Sequence, residues 1–492
     1  MKVRVGNLHP LLLMGGLIQV GLLLLITLGN LTLNSGVYVA LFLGLFLLFC
    51  IAGLIVTGQL QNKNYLTTAK PGSLLTIIFF AVLFRLTTIF AAPTLSTDQF
   101  RYTWEGRLLT QGVSPYRYSP DDPALTPYRS EIWSLVQQRE TASPYPPLSQ
   151  IIGATEYLVF GDSLLGPKIA AVLFDLLTCG ALLWLLSIFK RDLRLVLLYG
   201  WCPLPIIEFG QSGHNDAPML FFLLLAVGLA VKQKPTTSAI MLGLASLAKF
   251  TPLFGLPLFL GLWAGKLNGW NWKSWFLQPR QWRYPLLTLG VVIAGYVPFL
   301  LLGGGAIGSV FEYTGTWRDN DSLFFGFSYD FFGATVAKLL SVVILGSVVL
   351  VLTFHPRLSQ TLSLPRRLML IFGTTLLVAS TVHAWYLTWL LVFLPLVYGE
   401  KGFRKWDNIW LLFAMLVQLP YLTYAGNLSL YNWIKYVEYL PLYGAILWGI
   451  VVESIMLIGN KYKTRLLAKN AVETGIIETN KENRHLNRKN LE

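Results

Sequence analysis

The stretch from Pro10 to Leu28 reads PLLLMGGLIQVGLLLLITL, with Gln19 and Thr27 as its clearest polar interruptions. Lys2 and Arg4 precede it, as in a secretory leader. The run outlasts the roughly 7–15 apolar residues of a leader core, and no small-residue cleavage site follows. A membrane-spanning helix needs about 20 apolar residues, so this stretch reads as a first transmembrane helix. The remainder of the chain has the same character. Hydrophobic residues make up 54% and charged residues 13%, about half of the ~25% charged residues usual in soluble domains. Mean hydropathy is +0.57. That much apolar surface must face lipid, so the fold class is an all-α polytopic membrane protein. The net charge of +14 then points to cytoplasmic loops through the positive-inside rule and not to nucleic acid.

Further helices are expected near 37–57, 73–91, 166–189, 195–209 and 218–231. A helical hairpin near 239–264 follows, then helices near 284–302, 333–353, 367–380, 386–398, 407–424 and 437–459. Counting the hairpin twice gives a bundle of roughly 12–14 crossings, with both termini on one side. Charge tests that topology independently. Segments 2–4, 63–70, 190–194, 232–234, 266–283, 357–367, 401–405 and 461–469 all fall on the N-terminal side. Together they hold 23 of the 38 basic residues. The longest loop on the other side, 92–165, has five Arg against eight acids. The N- and C-termini are therefore expected in the cytoplasm, and the long loop outside. The membrane domain is read as 1–469, and the polar tail 470–492 as disordered. Cys50, Cys179 and Cys202 are an odd set inside apolar stretches and read as small packing residues.

Chemistry concentrates in the outer loop, which is too long to be a mere connection. It carries Tyr102, Trp104, Tyr116, Tyr118, Tyr128, Trp133 and Tyr145 among its acids, a mixture suited to carbohydrate, with rings for C–H faces and acceptors for hydroxyls. Near its start, Asp98, Arg101, Tyr102 and Glu105 follow i, i+3, i+4, i+7 spacing, which places them on one face if the segment is helical. Gly213-His214-Asn215-Asp216 and His383-Ala384-Trp385-Tyr386 fall at outer helix ends, on the same side as Asp98.

Within the membrane, Lys249 sits where the apolar hairpin breaks, in Leu247-Ala248-Lys249-Phe250-Thr251-Pro252. A lysine at a helix centre costs at least about 2.5–3.5 kcal/mol on insertion, which marks it as a functional candidate. No anion is evident to compensate it, so its charge is expected to await one from a ligand. Arg85 and Asp175 fall at similar depth and read as a structural ion pair. Asp319-Asn320-Asp321 has the form of an acidic metal-binding triplet, but nothing else supports a metal. No P-loop or dinucleotide fingerprint exists, so neither a nucleotide nor another cofactor is expected.

These residues resemble a family. The outer-loop Asp98, the run Arg101-Tyr102-Thr103-Trp104-Glu105-Gly106-Arg107, the turn Gly112-Val113-Ser114-Pro115-Tyr116 and Tyr145-Pro146-Pro147-Leu148 are its first elements. Gly213-His214-Asn215-Asp216, Lys249-Phe250-Thr251-Pro252 and His383-Ala384-Trp385-Tyr386 complete it. In order and sidedness they are similar to integral-membrane glycosyltransferases of the GT-C superfold, and to the polyprenyl-phosphate-mannose-dependent mannosyltransferases of bacteria. Glu105, Ser114 and Ala384 stand where that family usually has Asp, Asn and Pro.

The resemblance implies a bacterial plasma-membrane enzyme that moves one sugar, mannose by analogy, from a polyprenyl-phosphate donor. The acceptor would be a glycan or glycolipid at the extracytoplasmic face, and the transfer inverting. Asp98 would be the catalytic base and Lys249 the clamp on the donor phosphate. Tyr145, His214, Asp216, His383 and Trp385 would line the sugar pocket, with Arg101, Tyr102, Glu105 and Tyr116 also binding substrate. Two other classes remain open from sequence: a transporter or flippase of lipid-linked saccharides, and an inactive relative serving as a scaffold.

Overall fold

The structure, a computed structural model, describes residues 10–61, 72–265, 277–303, 318–399, 408–423, 433–449 and 451–452. The described residues are mostly helical, with one isolated β-bridge between Asp319 and Thr381 and no strand among them. The tail 470–492, and basic residues such as Lys2, Arg4, Lys63, Lys266 and Lys401, lie outside the described residues. The chain divides into two units. The first comprises 1–403 and 414–438, the second 404–413 and 439–492. In the second, the Phe413 ring lies 5.1 Å from that of Tyr439.

The first helix, α1 (Pro10–Thr27), buries Leu11, Gly15, Ile18, Leu22 and Leu25. That spacing traces one stripe of an otherwise all-round apolar helix. It packs on α2 (Ser35–Gln61) and α3 (Gly72–Thr88). A Cβ on Gly15 would fall 2.4 Å from the Phe80 ring of α3, so glycine sets how closely these helices approach. Gln19, the polar interruption of α1, donates to Thr87 Oγ1 of α3 at 2.8 Å. The amide nitrogen is thereby bonded inside the bundle and not left to lipid.

Four helical pieces follow in the long loop 92–165: α4 (Asp98–Thr110), a 3-10 turn at Pro123–Tyr128, α5 (Glu131–Leu135) and α6 (Pro147–Phe160). Then come α7 (Leu165–Ile188), the bent pair α8 (Leu197–Gly200) and α9 (Pro203–Gly210), α10 (Ala217–Val231), α11 (Pro235–Ala248) and α12 (Leu256–Trp263). The later helices of eight residues or more are α13 (Pro279–Leu301), α14 (Leu323–Phe354), α15 (Leu364–Val378), α16 (Ile409–Leu416) and α17 (433–449).

Five described helices are long and apolar enough to cross a membrane: α1, α2, α7, α13 and α14. A sixth crossing forms if the segment 193–210, bent by 58°, is taken as one. Most of the other expected crossings coincide with apolar helices of 10–17 residues, among them Ala217–Val231, Pro235–Ala248 and Ala384–Val397; that at 367–380 falls on Leu364–Val378, and the end of that at 437–459 lies outside the described residues. Their positions agree with the expected ones. Their shortness reflects a bundle in which α10, buried along most of its length, packs between α7 and α11.

Arg85 and Asp175 form the expected ion pair, with Nε–Oδ2 2.7 Å and both side chains fully buried. Arg85 also donates to the carbonyls of Ala81 and Gly200, and Tyr199 donates to Asp175 Oδ1 at 2.6 Å. Such additional bonds are what let a buried pair offset its desolvation. The pair ties α3, α7 and α8 together.

Candidate active site

Asp98 opens α4, where a carboxylate in the first turn is favoured by the helix dipole. Helix α4 is held by a very close crossing with α6. A Cβ on Gly106 would sit 2.3 Å from the Gly153 carbonyl oxygen, so only glycine permits the approach. Behind the crossing lies a buried polar lock. Arg101 Nε pairs with Glu105 Oε1 at 2.7 Å. Ser143 and Gln150 both donate to Glu105 Oε2 at 2.6 Å. The remaining Arg101 nitrogens donate to the carbonyls of Gln138 and Thr141. Burial pushes the Arg101 pKa down, but the Glu105 carboxylate outweighs it and holds the guanidinium above its usual value. The lock fixes the run 138–143 against α4.

Most of the loop aromatics serve the loop itself. Trp104 packs with Leu108, Leu125, Ile132 and Val136, flanked by Tyr118, Tyr128 and Trp133. Tyr116 belongs to a second cluster with Leu247, Tyr296 and Phe299, and donates to the Tyr145 carbonyl at 2.6 Å. Tyr145 meets the Tyr102 ring edge-on at 4.9 Å. Tyr102 in turn donates to Asp98 Oδ2 at 3.3 Å. Burial, with Asp98 next, raises the Tyr102 pKa well above its ordinary value, so this phenol stays a donor.

The motif at 213–216 forms the tight turn between α9 and α10. Gly213 has φ +66°, and a Cβ there would press on Lys168 at 3.2 Å. His214 and Asp216 are fully buried. Helix α11 ends at Lys249, whose backbone is extended, and Pro252 lies in the 3-10 turn Thr251–Gly255 that follows. The break thus falls where the sequence placed it.

Its charge, however, is compensated. Lys249 Nζ lies 3.1 Å from Asp216 Oδ2, whose other oxygen accepts from Trp389 Nε1 at 2.7 Å. The ammonium also lies over the Tyr386 and Trp389 rings, at 5.2 and 5.8 Å, in cation–π geometry. The expectation of an unpaired lysine is corrected: its counter-ion is 33 positions away in sequence and invisible without the fold.

His383 stacks on Trp385 at 4.4 Å with an interplanar angle of 7°, and its Nδ1 lies 3.6 Å from Asp319 Oδ2. Burial, then His214 and Lys249, push its pKa down to about 3, which favours the neutral ring. Of the triplet 319–321, Asp319 lines the same cavity as His383, and the other two are engaged elsewhere. Asp319 pairs its backbone with 380–382, Asn320 donates to Glu438, and Asp321 binds Arg318 and Lys435. No cluster able to hold a metal ion occurs among the described residues.

These elements enclose a cavity of about 760 Å³. Of the anticipated site residues, Asp98, Arg101, Tyr145, Lys249, His383 and Trp385 line it. Tyr102, Glu105, Tyr116, His214 and Asp216 are not in its wall and hold wall residues in place. Sequence reasoning missed Tyr386, Trp389, Phe250 and Phe254 as the aromatic wall, and Gln137 and Gln138 at the rim. It also passed over Glu208, although a carboxylate inside an apolar helix is itself a signal.

Residues 24–265, just under half the chain, match the family model described as Alpha-(1->6)-mannopyranosyltransferase, N-terminal domain. The expected resemblance to membrane mannosyltransferases is borne out. The matched region contains Asp98, the Arg101–Glu105 lock, His214, Asp216 and Lys249, while His383 and Trp385 lie beyond it. The chain is similar to Alpha-(1->6)-mannopyranosyltransferase A of Corynebacterium glutamicum, with 26% identity over 36% of each chain. It is also similar to the protein of that name in Mycobacterium tuberculosis, 23% identical over 37% of this chain and 35% of the relative. Alpha-(1->6)-mannopyranosyltransferase B of C. glutamicum is 25% identical over 35% and 31%. Each match spans about a third of the relative's length.

Proposed function

We propose that the protein is an inverting glycosyltransferase that moves one mannose from a polyprenyl-phosphate donor to a saccharide acceptor outside the membrane. The observation that carries this reading is one cavity lined both by Asp98 and by Lys249, a carboxylate from the outer loop and an ammonium from a broken membrane hairpin. A phosphate leaving group departs as a stable anion and needs positive charge more than a general acid. One carboxylate then suffices, to take the proton of the attacking hydroxyl, where glycosidases use two. Lys249 supplies the positive charge and shares it with Asp216 until the donor arrives. The cavity is in the ~300–1,000 Å³ range of small-molecule sites, and Trp385, Tyr386 and Trp389 give it an aromatic wall suited to a sugar. Thr97, Gln137 and Gln138 also line a second, polar cavity of about 490 Å³ with Asp121, Arg139 and Glu140, which suits the acceptor. The mannosyltransferase relatives favour mannose. The direct test is transfer by purified protein in detergent from a polyprenyl-phosphate sugar, with no nucleotide and no ion gradient. Absence of transfer with every such donor would sink the proposal and return attention to transport.

The proposed sidedness rests on the 23 basic residues assigned inside. Single cysteines at Leu33, 75% exposed, and at the half-buried Ser130 should react with an impermeant thiol reagent on intact cells. A cysteine at the exposed Thr236 should react only after lysis. The opposite pattern would invert the topology.

A further inference from the structure

Behind Asp98 lies a polar chain that the transfer reaction, as described above, leaves unused. His214 Nδ1 is 3.7 Å from Asp98 Oδ2, and its Nε2 is 3.3 Å from Glu208 Oε2. His214 and Glu208 are fully buried, whereas the Asp98 side chain is 30% exposed, toward the cavity. Neither imidazole nitrogen, nor Glu208 Oε2, has a hydrogen-bond partner of good geometry. Unmade bonds of this kind are costly in a buried site and ask for an explanation. The other Glu208 oxygen is held by Gln418 Nε2 at 2.6 Å, and Gln418 accepts from Tyr38 at 2.7 Å. The imidazole is clamped face-on against Trp385 at 3.6 Å. A rigid ring thus stands between two carboxylates, with one nitrogen nearer to each, and the bonds themselves remain to be closed by small side-chain movements. Gaps of this size in unliganded sites tighten when substrate binds.

We infer that His214 and Glu208 are positioning residues that act through Asp98 as a proton relay, an inference that rests on the transferase reading above. The acceptor O–H bond breaks as its oxygen bonds to the anomeric carbon, and the electron pair of the carbon–phosphate oxygen bond leaves with the phosphate. Asp98 takes the acceptor proton and passes it to His214 Nδ1. Glu208 holds the opposite N–H and balances the imidazolium. When product leaves, the proton returns through Asp98 to solvent in the cavity. Without the relay Asp98 would end the step as a neutral acid beside the product, and the reverse proton transfer would compete.

Among the described residues, few other charged groups lie near His214. From its own turn comes Asp216, neutralised by Lys249, and from 383–387 comes His383, held neutral. Lys168 of α7 lies against Gly213, with its ammonium turned to the carbonyls of Ile89 and Ala91. Tyr102 bonds to Asp98. Of these groups, Asp98 and Glu208 are the ones placed to exchange charge with the ring.

The test is the pH profile of turnover, read with a single-turnover proton inventory in mixed H2O and D2O. In the wild type the inventory should be curved, because two protons move together, and a straight line would overturn the relay. His214→Gln should lower kcat about 10²-fold, at the low end of general acid–base contributions, with both KM values within about three-fold. Glu208→Gln removes the charge that favours the imidazolium, so the acid limb of kcat should move to lower pH as the plateau falls. A loss of activity with the limb unmoved would make both residues merely structural and overturn the proposal. Unaltered kcat in His214→Gln would overturn it as well. The wild-type inventory decides even if neither variant folds. Failure of the wild type to transfer any sugar would instead strike the transferase reading.

Discussion

Asp98→Asn should reduce turnover by about 10²–10⁴-fold, the range of general-base contributions, and leave donor affinity within about three-fold of wild type. The amide keeps the carboxylate's shape and can still accept the 3.3 Å bond from Tyr102, but it cannot take a proton. Folding should be undisturbed, because the side chain is partly exposed and its close partners among the described residues are Tyr102 and the more distant His214. Melting temperature and donor binding are therefore the controls, and acceptor turnover is the readout. Activity within a few-fold of wild type would remove Asp98 from the chemical step.

The second large effect is at Lys249, and the structure changes how it must be measured. Lys249→Met would strand the fully buried Asp216 carboxylate. Breaking a buried pair from one side costs about 3–5 kcal/mol, so loss of activity in that variant alone could reflect unfolding. Lys249→Met combined with Asp216→Asn removes both charges and should fold, with Trp389 donating to the amide oxygen in place of Asp216 Oδ1. Its donor affinity should fall by at least about 10-fold, the lower end of a hydrogen bond to a charged group, while acceptor affinity stays unchanged. Lys249→Arg should fold but bind donor less well, since a planar fork cannot occupy the place of a compact ammonium between Asp216 and two aromatic faces. Donor affinity unchanged in the folded double variant would show that the Lys249–Asp216 pair is structural.

Much of the architecture was legible because lipid imposes simple rules. The all-round apolar α1, the break at Lys249-Phe250-Thr251-Pro252 and the pairing of Arg85 with Asp175 follow from what hydrocarbon forbids. Helix α14 was seen only from residue 333, because its first turns, Leu323 to Phe332, are rich in aromatic residues and end at Gly333 with φ +80°. That conformation bends one helix into two. For the candidate site, the sequence suggests residues but not their layering. Periodicity puts Asp98, Arg101, Tyr102 and Glu105 on one face, yet it cannot reveal that Glu105 is locked by Ser143 and Gln150 behind the wall. The aromatic loop looked like a sugar platform because Trp104 and Trp133 give the same composition whether they face a ligand or each other's neighbours. Partners such as Asp216 for Lys249, and Glu208 for His214, depend on helices brought together by tertiary packing. Charge alone could have flagged the members of each pair, but not the pairing.

The central claim is a single displacement at a lipid-phosphate sugar with Asp98 as the only carboxylate acting on the acceptor. The measurement that tests it most directly is the anomeric configuration of donor and product, read by NMR after transfer by the purified protein. One base on the acceptor and a phosphate leaving from the opposite face predict inversion, with the configuration lost entirely in favour of its opposite. Retention would require a second nucleophile and a covalent intermediate. The cavity wall offers Asp319 for that purpose, a residue with no part in a single displacement, and retention would therefore contradict the mechanism.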